Sequence, residues 1–355
     1  AASYGESIDS GIRLALSDAR ERGTVPTGIE VLWADTGSDP AQAVTELRRM
    51  AEERDVKMVI GGATSAEAVA LLPALDELDI VCVSPSASAP GLAKQSRNFF
   101  RIYPSDELEG HTAGKFIFER LGQQQILLFT GDTEYTRGIK PEFLKQFEEA
   151  LGGTVVRDLD ITTEGWREEA AAVLDGDDIG ATYIVGYGDE ILEAVLFLRE
   201  RGFPGRILTT SAVYTGRVIR DAGDAAEGML FPLPPFDRTS EKEPVLSFVN
   251  RYMDTYQRAP DVFAAHGYDA MALTIRVMGL ANPPERLEIL KALNFGVTET
   301  MGVTGPILFD DYGDVKHYPK MFIVKDGQVL SYQRYLETER KRILNQVQDL
   351  LSTGG

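Results

Sequence analysis

The chain has 355 residues, 43% of them hydrophobic, enough for two domains of ordinary size. Its net charge of −19 and pI near 4.7 argue against nucleic acid or an anionic membrane surface as partner, since those need basic patches. No apolar run reaches the ~20 residues that span a bilayer, and a single cysteine, Cys82, allows no internal disulfide.

Tyr4 to Arg22 reads as an amphipathic helix, with Ile8, Ile12, Ala15, Leu16 and Ala19 on one face. Gly23 closes it, and Ile29 to Ala34 reads as a strand. Asp39-Pro40 starts a helix that runs to Arg54, with proline at its first position. The run V-K-M-V-I, Val56 to Ile60, is apolar and β-branched and stops at Gly61-Gly62, which predicts a buried strand and a tight turn. Ser65 is expected to cap the following helix, with Glu67 placing negative charge near its positive end. That helix ends near Asp79, and Ile80 to Val83 forms a second buried strand that holds Cys82 as a small hydrophobe. The strand opens into Ser84-Pro85-Ser86-Ala87-Ser88, whose small residues let backbone approach a ligand closely. A doubly wound sheet normally starts with a strand and none precedes Tyr4, so a strand is expected immediately upstream of Ala1.

Asn98 to Tyr103 is a short extended piece, and Pro104-Ser105-Asp106 caps a helix from about Glu107 to Leu121. Strands at 125–130, 155–159, 181–186 and 206–210 then alternate with helices at 138–151, 164–174 and 191–201. Their loops carry Gly131-Asp132-Thr133-Glu134-Tyr135, Tyr187-Gly188-Asp189-Glu190, and Ser211-Ala212-Val213-Tyr214, the last beginning a helical turn. Residues 229–233 are extended before Pro234-Pro235. Helices follow over 244–256, 260–280 and 284–293. The strand I-L-F-D, Ile307 to Asp310, comes next, then a hairpin of 321–324 with 329–335 turned by Asp326-Gly327, and a helix over 337–351. The fold class is therefore α/β, with two runs of strand–helix alternation.

Two parallel strands deliver the small-residue loops at 61–65 and 84–88 to one carboxyl edge, where open α/β sheets bind ligands. A helix N-terminus with free N–H groups and a serine hydroxyl suits a carboxylate, although a plain strand–helix–strand unit with a capping serine would read the same way. Enzymatic constellations are absent. There is no G-x-S-x-G elbow, P-loop or G-x-G-x-x-G, and His111, His266 and His317 lie far apart with no zinc spacing. The acidic runs at Asp175-Asp177-Asp178 and Asp310-Asp311 lack EF-hand spacing. No catalytic residue, metal or cofactor is expected.

Taken together, A-A-S-Y-G-E-S-I-D-S-G-I-R-L-A-L, D-P-A-Q-A-V, I-G-G-A-T-S, V-S-P-S-A-S-A-P-G-L, F-R-I-Y-P-S-D, G-D-T-E-Y-T-R-G, H-G-Y-D-A-M-A-L and M-G-V-T-G-P-I-L-F-D-D-Y-G-D-V carry a resemblance over nearly the whole chain. The chain resembles the type I periplasmic binding proteins of ABC importers, in the branch of the leucine/isoleucine/valine-binding protein. The resemblance implies two doubly wound, Rossmann-like lobes joined by three crossovers, one of residues 1–105 plus 236–317 and the other of 106–235 plus 318–355. It implies a ligand between the lobes and closure by a hinge.

By the same resemblance, Ser65 binds the ligand carboxylate, and Ser86, Ala87 and Ser88 present backbone groups and a hydroxyl to the carboxylate and ammonium. Tyr4 packs on the ligand side chain, Asp106 stands at the mouth of the second lobe, and Tyr135 and Tyr187 close over the ligand. Ser211 stands where amino-acid binders of this branch commonly carry an acid to pair with the ammonium. A buried ammonium without such a partner is costly, so Asp189, Asp132 or Asp106 supplies the charge, or the ligand lacks an ammonium. The family's disulfide has no counterpart here. The implied protein is no enzyme. It is a periplasmic or otherwise extracytoplasmic solute-binding subunit, lipid-anchored before processing in some members, that takes an amino acid or other small carboxylate and works with the permease subunits of an importer. A cytoplasmic ligand sensor of the same fold, or a receptor's ligand domain, would share these features.

Overall fold

The computed structural model describes residues 2–214, 218–298 and 300–353, without the side chains of 2–4, 134 and 349–353. The chain begins with helix α1 (Ala2–Glu21), α2 (Pro40–Glu53), strand β1 (Met58–Ile60), α3 (Ser65–Leu78), β2 (Val81–Ser84) and β3 (Phe99–Arg101). It continues with α4 (Asp106–Lys115), β4 (Gln125–Thr130), α5 (Glu134–Leu144), β5 (Thr154–Asp160), α6 (Trp166–Gly176), β6 (Ala181–Val185), α7 (Asp189–Glu200), β7 (Arg206–Thr209), a 3-10 turn (Ser211–Tyr214), α8 (Val218–Ala222) and β8 (Leu230–Leu233). Next come α9 (Val245–Tyr256), α10 (Val262–Leu280), α11 (Arg286–Lys291) and the short pair β9 (Met301–Gly302) and β10 (Gly305–Pro306). The strands β11 (Lys320–Lys325) and β12 (Gln328–Ser331) and the helix α12 (Tyr332–Thr353) end the chain. These elements form two units: Ala1–Asp106 with Pro234–Tyr318, and Glu107–Leu233 with Pro319–Gly355.

In the first unit β2 lies between β1 and β3, parallel to both, and all four of its residues are buried. Its side chains alternate as a strand requires. Val81 and Val83 pack with Leu273 and Val277 of α10, while Cys82 packs with Leu71 and Leu75 of α3. Burial pushes the Cys82 thiol up to about 12, so it stays a protonated, inert filler. β1 is only half-buried, contrary to expectation; among the described residues it pairs with β2 alone.

Two expected strands are missing from the sheets. Residues 29–34 form no regular element and pair with no strand among the described residues, and a strand exists only where a neighbour completes its hydrogen bonds. Of I-L-F-D, only Phe309 makes a single bridge, to Val315. Ile307 and Phe309 are buried as core residues nonetheless.

The second unit holds a seven-stranded sheet in the order β12-β11-β8-β7-β6-β4-β5. β5 through β8 are parallel, and β11 and β12 add an antiparallel edge. Alternation along β4 covers both faces. Leu127 and Phe129 pack with Trp166 and Val195, and Ile126 and Leu128 with Phe143 and Phe147. The β11–β12 turn has positive φ at Asp326 and Gly327, the backbone of a two-residue hairpin. β12 stops at Ser331 and the helix starts at Tyr332, five residues earlier than the sequence pattern suggested.

Helices α1 and α10 touch through two glycines. A methyl on Gly267 would overlap the Ile8 carbonyl oxygen, and one on Gly11 the Ala264 carbonyl oxygen. Gly267→Ala is expected to lower stability by about 1–3 kcal/mol in urea denaturation, because backbone cannot give way as a side chain does. Gly5→Ala, with nothing within 4 Å of the added methyl, should not.

Candidate functional site

The loop after β1 and the loop after β2 are laced together by three serines. Ser84 Oγ donates to the Gly62 carbonyl at 2.9 Å and accepts from Ala87 N–H at 3.1 Å. Ser86 Oγ donates to the Ala63 carbonyl at 2.7 Å. Ser65 Oγ accepts from Ser88 N–H at 3.2 Å and Ala89 N–H at 3.1 Å.

Ser65 is not the helix cap that its position suggested. Thr64 caps α3: its Oγ1 accepts from Glu67 N–H at 3.1 Å, and the Glu67 carboxylate accepts from Thr64 N–H at 3.0 Å. Only the Thr64–Glu67 spacing makes this reciprocal capping box, and it turns Ser65 toward the second loop. A hydroxyl has two acceptor positions and one proton. Both acceptor positions of Ser65 are filled, and among the described residues its proton meets no acceptor. The Ser88 hydroxyl likewise has no partner among them, although the Ser88 carbonyl accepts from Asp106 N–H at 2.9 Å. Ser65 and Ser88 therefore present two hydroxyl donors side by side, a pair suited to an anion.

The other two loop residues play a different part. Ser86 is nearly buried and its proton is held by Ala63, so its side chain shapes the loop. Ala87 is fully buried, its N–H on Ser84 and its carbonyl 3.3 Å from Arg101 Nη1. Arg101 is the residue that sequence reading missed here. Its guanidinium, fully buried, pairs with both oxygens of Asp314 and donates to the Ala89 carbonyl at 2.8 Å. It thereby pins the serine loop from behind. The side chain of Tyr4 lies outside the described residues.

In the second unit the segments that follow β4, β6 and β7 place Tyr135, Tyr187 and Ser211 at the carboxyl edge of the sheet. Tyr135 is not in a loop but in the first turn of α5, which starts early because Thr133 and Thr136 cap each other. Its ring meets that of Tyr187 edge to face, with centroids 5.8 Å apart. Tyr187 is 47% exposed.

Ser211 is hydrogen-bonded to an acid that was not among those weighed from the sequence. Asp132 pairs with Arg137 at the surface, Asp189 opens α7 in an exposed position, and Asp106 is buried in the first unit. The carboxylate is that of Glu109, on α4. Its Oε1 accepts from Ser211 N–H at 2.6 Å and from the Tyr135 hydroxyl at 3.3 Å, and its Oε2 accepts from Ser211 Oγ at 2.7 Å. Burial raises the Glu109 carboxyl to about 7, and these hydrogen bonds to the ionised form keep it from rising further.

His266 is structural, as expected: fully buried, with Nδ1–H on the Val262 carbonyl at 2.7 Å and its ring 4.9 Å from that of Tyr103. Among the described residues no group of three or more His, Cys, Asp or Glu is placed to hold a metal, and no helix is long and apolar enough to cross a membrane.

Comparison with known proteins agrees with this architecture. A family model described as periplasmic binding protein matches residues 1–328. The leucine-, isoleucine-, valine-, threonine- and alanine-binding protein of Pseudomonas aeruginosa is 26% identical over 322 residues, covering 89% of this chain and 84% of the relative. The crystal structure of a leucine-binding protein from Thermotoga maritima superposes with TM-score 0.78 at 26% identity, over 92% of this chain and 93% of that one. A branched-chain amino acid transporter substrate-binding protein from Streptococcus pneumoniae, in complex with isoleucine, gives TM-score 0.78 at 25% identity, again over 92% and 93%. The family consists of solute-binding proteins of ABC transport, not enzymes. The two α/β units, the serine-laced loops and a match over residues 1–328 make this chain a member of the periplasmic binding protein family, in its leucine/isoleucine/valine-binding branch.

Proposed function

We propose that the protein is the extracytoplasmic solute-binding subunit of an ABC importer, delivering a small carboxylate-bearing solute to permease subunits. The solute is an amino acid of the branched-chain kind or close to it. The observation that carries this reading is the pair of hydroxyl donors at Ser65 and Ser88, held at the carboxyl edge of the first unit's sheet beside the N-terminus of α3. The names of the relatives, which bind leucine, isoleucine and valine, support the amino-acid assignment. Ser86 and Ala87 support the loop.

Calorimetric titration with a panel of amino acids and organic acids tests the proposal. Ser65→Ala and Ser88→Ala are each expected to weaken binding of the best panel member by about 1–3 kcal/mol, the range for a hydrogen bond to a charged group. Unchanged affinity in both variants would contradict the assignment of the serines. No binding by any panel member would contradict the function.

A further inference from the structure

We propose that α12 is a self-association surface, through which two copies of this chain pair antiparallel about a two-fold axis. This goes beyond the solute-binding reading and does not depend on it. The helix lies past residues 1–328, the part matched to the family, so the family likeness says nothing of it. Its first turn is anchored on the second unit. The Tyr332 ring meets that of Phe116 edge to face, with centroids 4.9 Å apart, and Tyr335 packs in the same cluster. Beyond that anchor the packing ends, and every residue from 340 to 348 is exposed.

Three observations name a second copy as what covers the helix. First, Leu336, Ile343, Leu344 and Val347 recur at the spacing of one helix face, and each is between 47% and 53% exposed. Four aliphatic side chains in one stripe exceed the scattered single residues that a solvated helix carries. Second, the charges in that stripe complement themselves. Arg340 lies on the same face, between Leu336 and Leu344, and has no acidic partner among the described residues. Glu339 stands on its flank. Its Oε2 accepts both bonds from Arg342 of its own helix, which leaves Oε1 open among the described residues. In an antiparallel pair whose axis passes between Glu339 and Arg340, Leu336 meets Ile343 of the partner subunit and Glu339 meets Arg340 of the partner subunit. The two-fold repeats both contacts. A parallel pair would stack Arg340 on its own copy instead. Third, α12 carries four basic residues against three acidic ones in a chain of net charge −19. Two copies therefore meet here with less repulsion than the average surface of the chain imposes.

Analytical ultracentrifugation of the full chain tests the proposal. Over about 1–200 μM protein it should show a reversible monomer–dimer equilibrium with Kd of about 1–100 μM, the scale of a small interface. Ile343→Asp and Val347→Asp, at exposed positions that leave the melting curve unchanged, should each weaken the dimer by at least about tenfold. Glu339→Arg and Arg340→Glu should each weaken it by about three- to tenfold, and the double variant Glu339→Arg/Arg340→Glu should return it close to the wild-type value. A chain that stays monomeric throughout that range would overturn the proposal, and so would a dimer that Ile343→Asp leaves intact. A dimer that Ile343→Asp breaks but that the double charge variant fails to restore would overturn the antiparallel pairing. A monomeric chain that sediments with vesicles of phosphatidylglycerol and phosphatidylcholine, and ceases to in Ile343→Asp, would overturn the proposal in favour of a lipid surface.

Discussion

Arg101→Met is expected to destabilise the first unit by roughly 3–5 kcal/mol, the cost of breaking a buried ion pair by removing one partner. Arg101 is fully buried and shares two contacts with Asp314, at 2.5 and 3.1 Å. Without the guanidinium, the Asp314 carboxylate is left in a poorly solvated site. The carbonyls of Ala87 and Ala89 lose their donor as well. The same change should loosen the loop that carries Ser88 and lower solute affinity, though Arg101 is assigned no contact with solute. Guanidinium denaturation followed by a probe in the first unit measures the first effect. The double variant Arg101→Met/Asp314→Leu should recover part of the loss, because it removes the stranded charge along with its partner. A loss under about 1 kcal/mol in the single variant would mean that the pair is solvated like a surface bridge.

The second large effect is acid sensitivity set by His266. Burial, with a smaller push from His317, lowers this imidazole to about 3. Its Nδ1–H is bonded to the Val262 carbonyl, and Nε2 is buried with no partner among the described residues, so a second proton would be an unsatisfied donor beside the Tyr103 ring. The folded pKa lies below the unfolded one of about 6.5. As pH falls, the unfolded chain takes up the proton first, so stability is lost from about pH 6.5 down to about 3, at about 1.4 kcal/mol per unit. Asp269 acts in the opposite direction, since burial raises its carboxyl to about 6. Glu109, raised by burial to about 7, acts the same way as Asp269, so the raw stability curve of the wild type mixes these groups. The difference between wild type and His266→Gln isolates the histidine: the variant should gain relative to the wild type steadily as pH falls from 6.5 to 4. Parallel curves would show that the imidazole charges freely in the folded state.

How much of this was legible in the sequence depended on whether a feature was local. β2 and its serine loop could be read directly, because an apolar β-branched run ending in S-P-S-A-S has few alternatives. The Thr64 cap was equally local and was misread by one residue: T-S-A-E carries the capping-box spacing, and the glutamate three positions on marks Thr64 rather than Ser65. Residues 29–34 show the limit of local reading. Their composition suits a strand, but a strand exists only when a neighbour completes its hydrogen bonds. I-L-F-D was misread for a related reason, since burial of Ile307 and Phe309 produces the same apolar pattern without a ladder.

Glu109 and Arg101 were not legible at all. Glu109 sits in the run D-E-L-E, which looks like the solvated first turn of a helix, and it becomes a buried acid only through Ser211 and Tyr135, distant in the chain. Arg101 lies in F-F-R-I-Y and finds its partner 213 residues away. Charges paired over such separations leave no periodic trace. The sequence did carry one indirect sign, the neutral Ser211 at a position where an acid was anticipated, which pointed to a compensating carboxylate nearby.

The most direct measurement is a calorimetric titration of the wild-type chain with L-leucine and with L-leucinamide, which keeps the amine and side chain but replaces the carboxylate by a neutral amide. The account predicts saturable one-to-one binding of leucine and at least about tenfold weaker binding of the amide, the equivalent of losing one or more charge-assisted hydrogen bonds at Ser65 and Ser88. Equal affinity for the two, or binding of the amide alone, would contradict it.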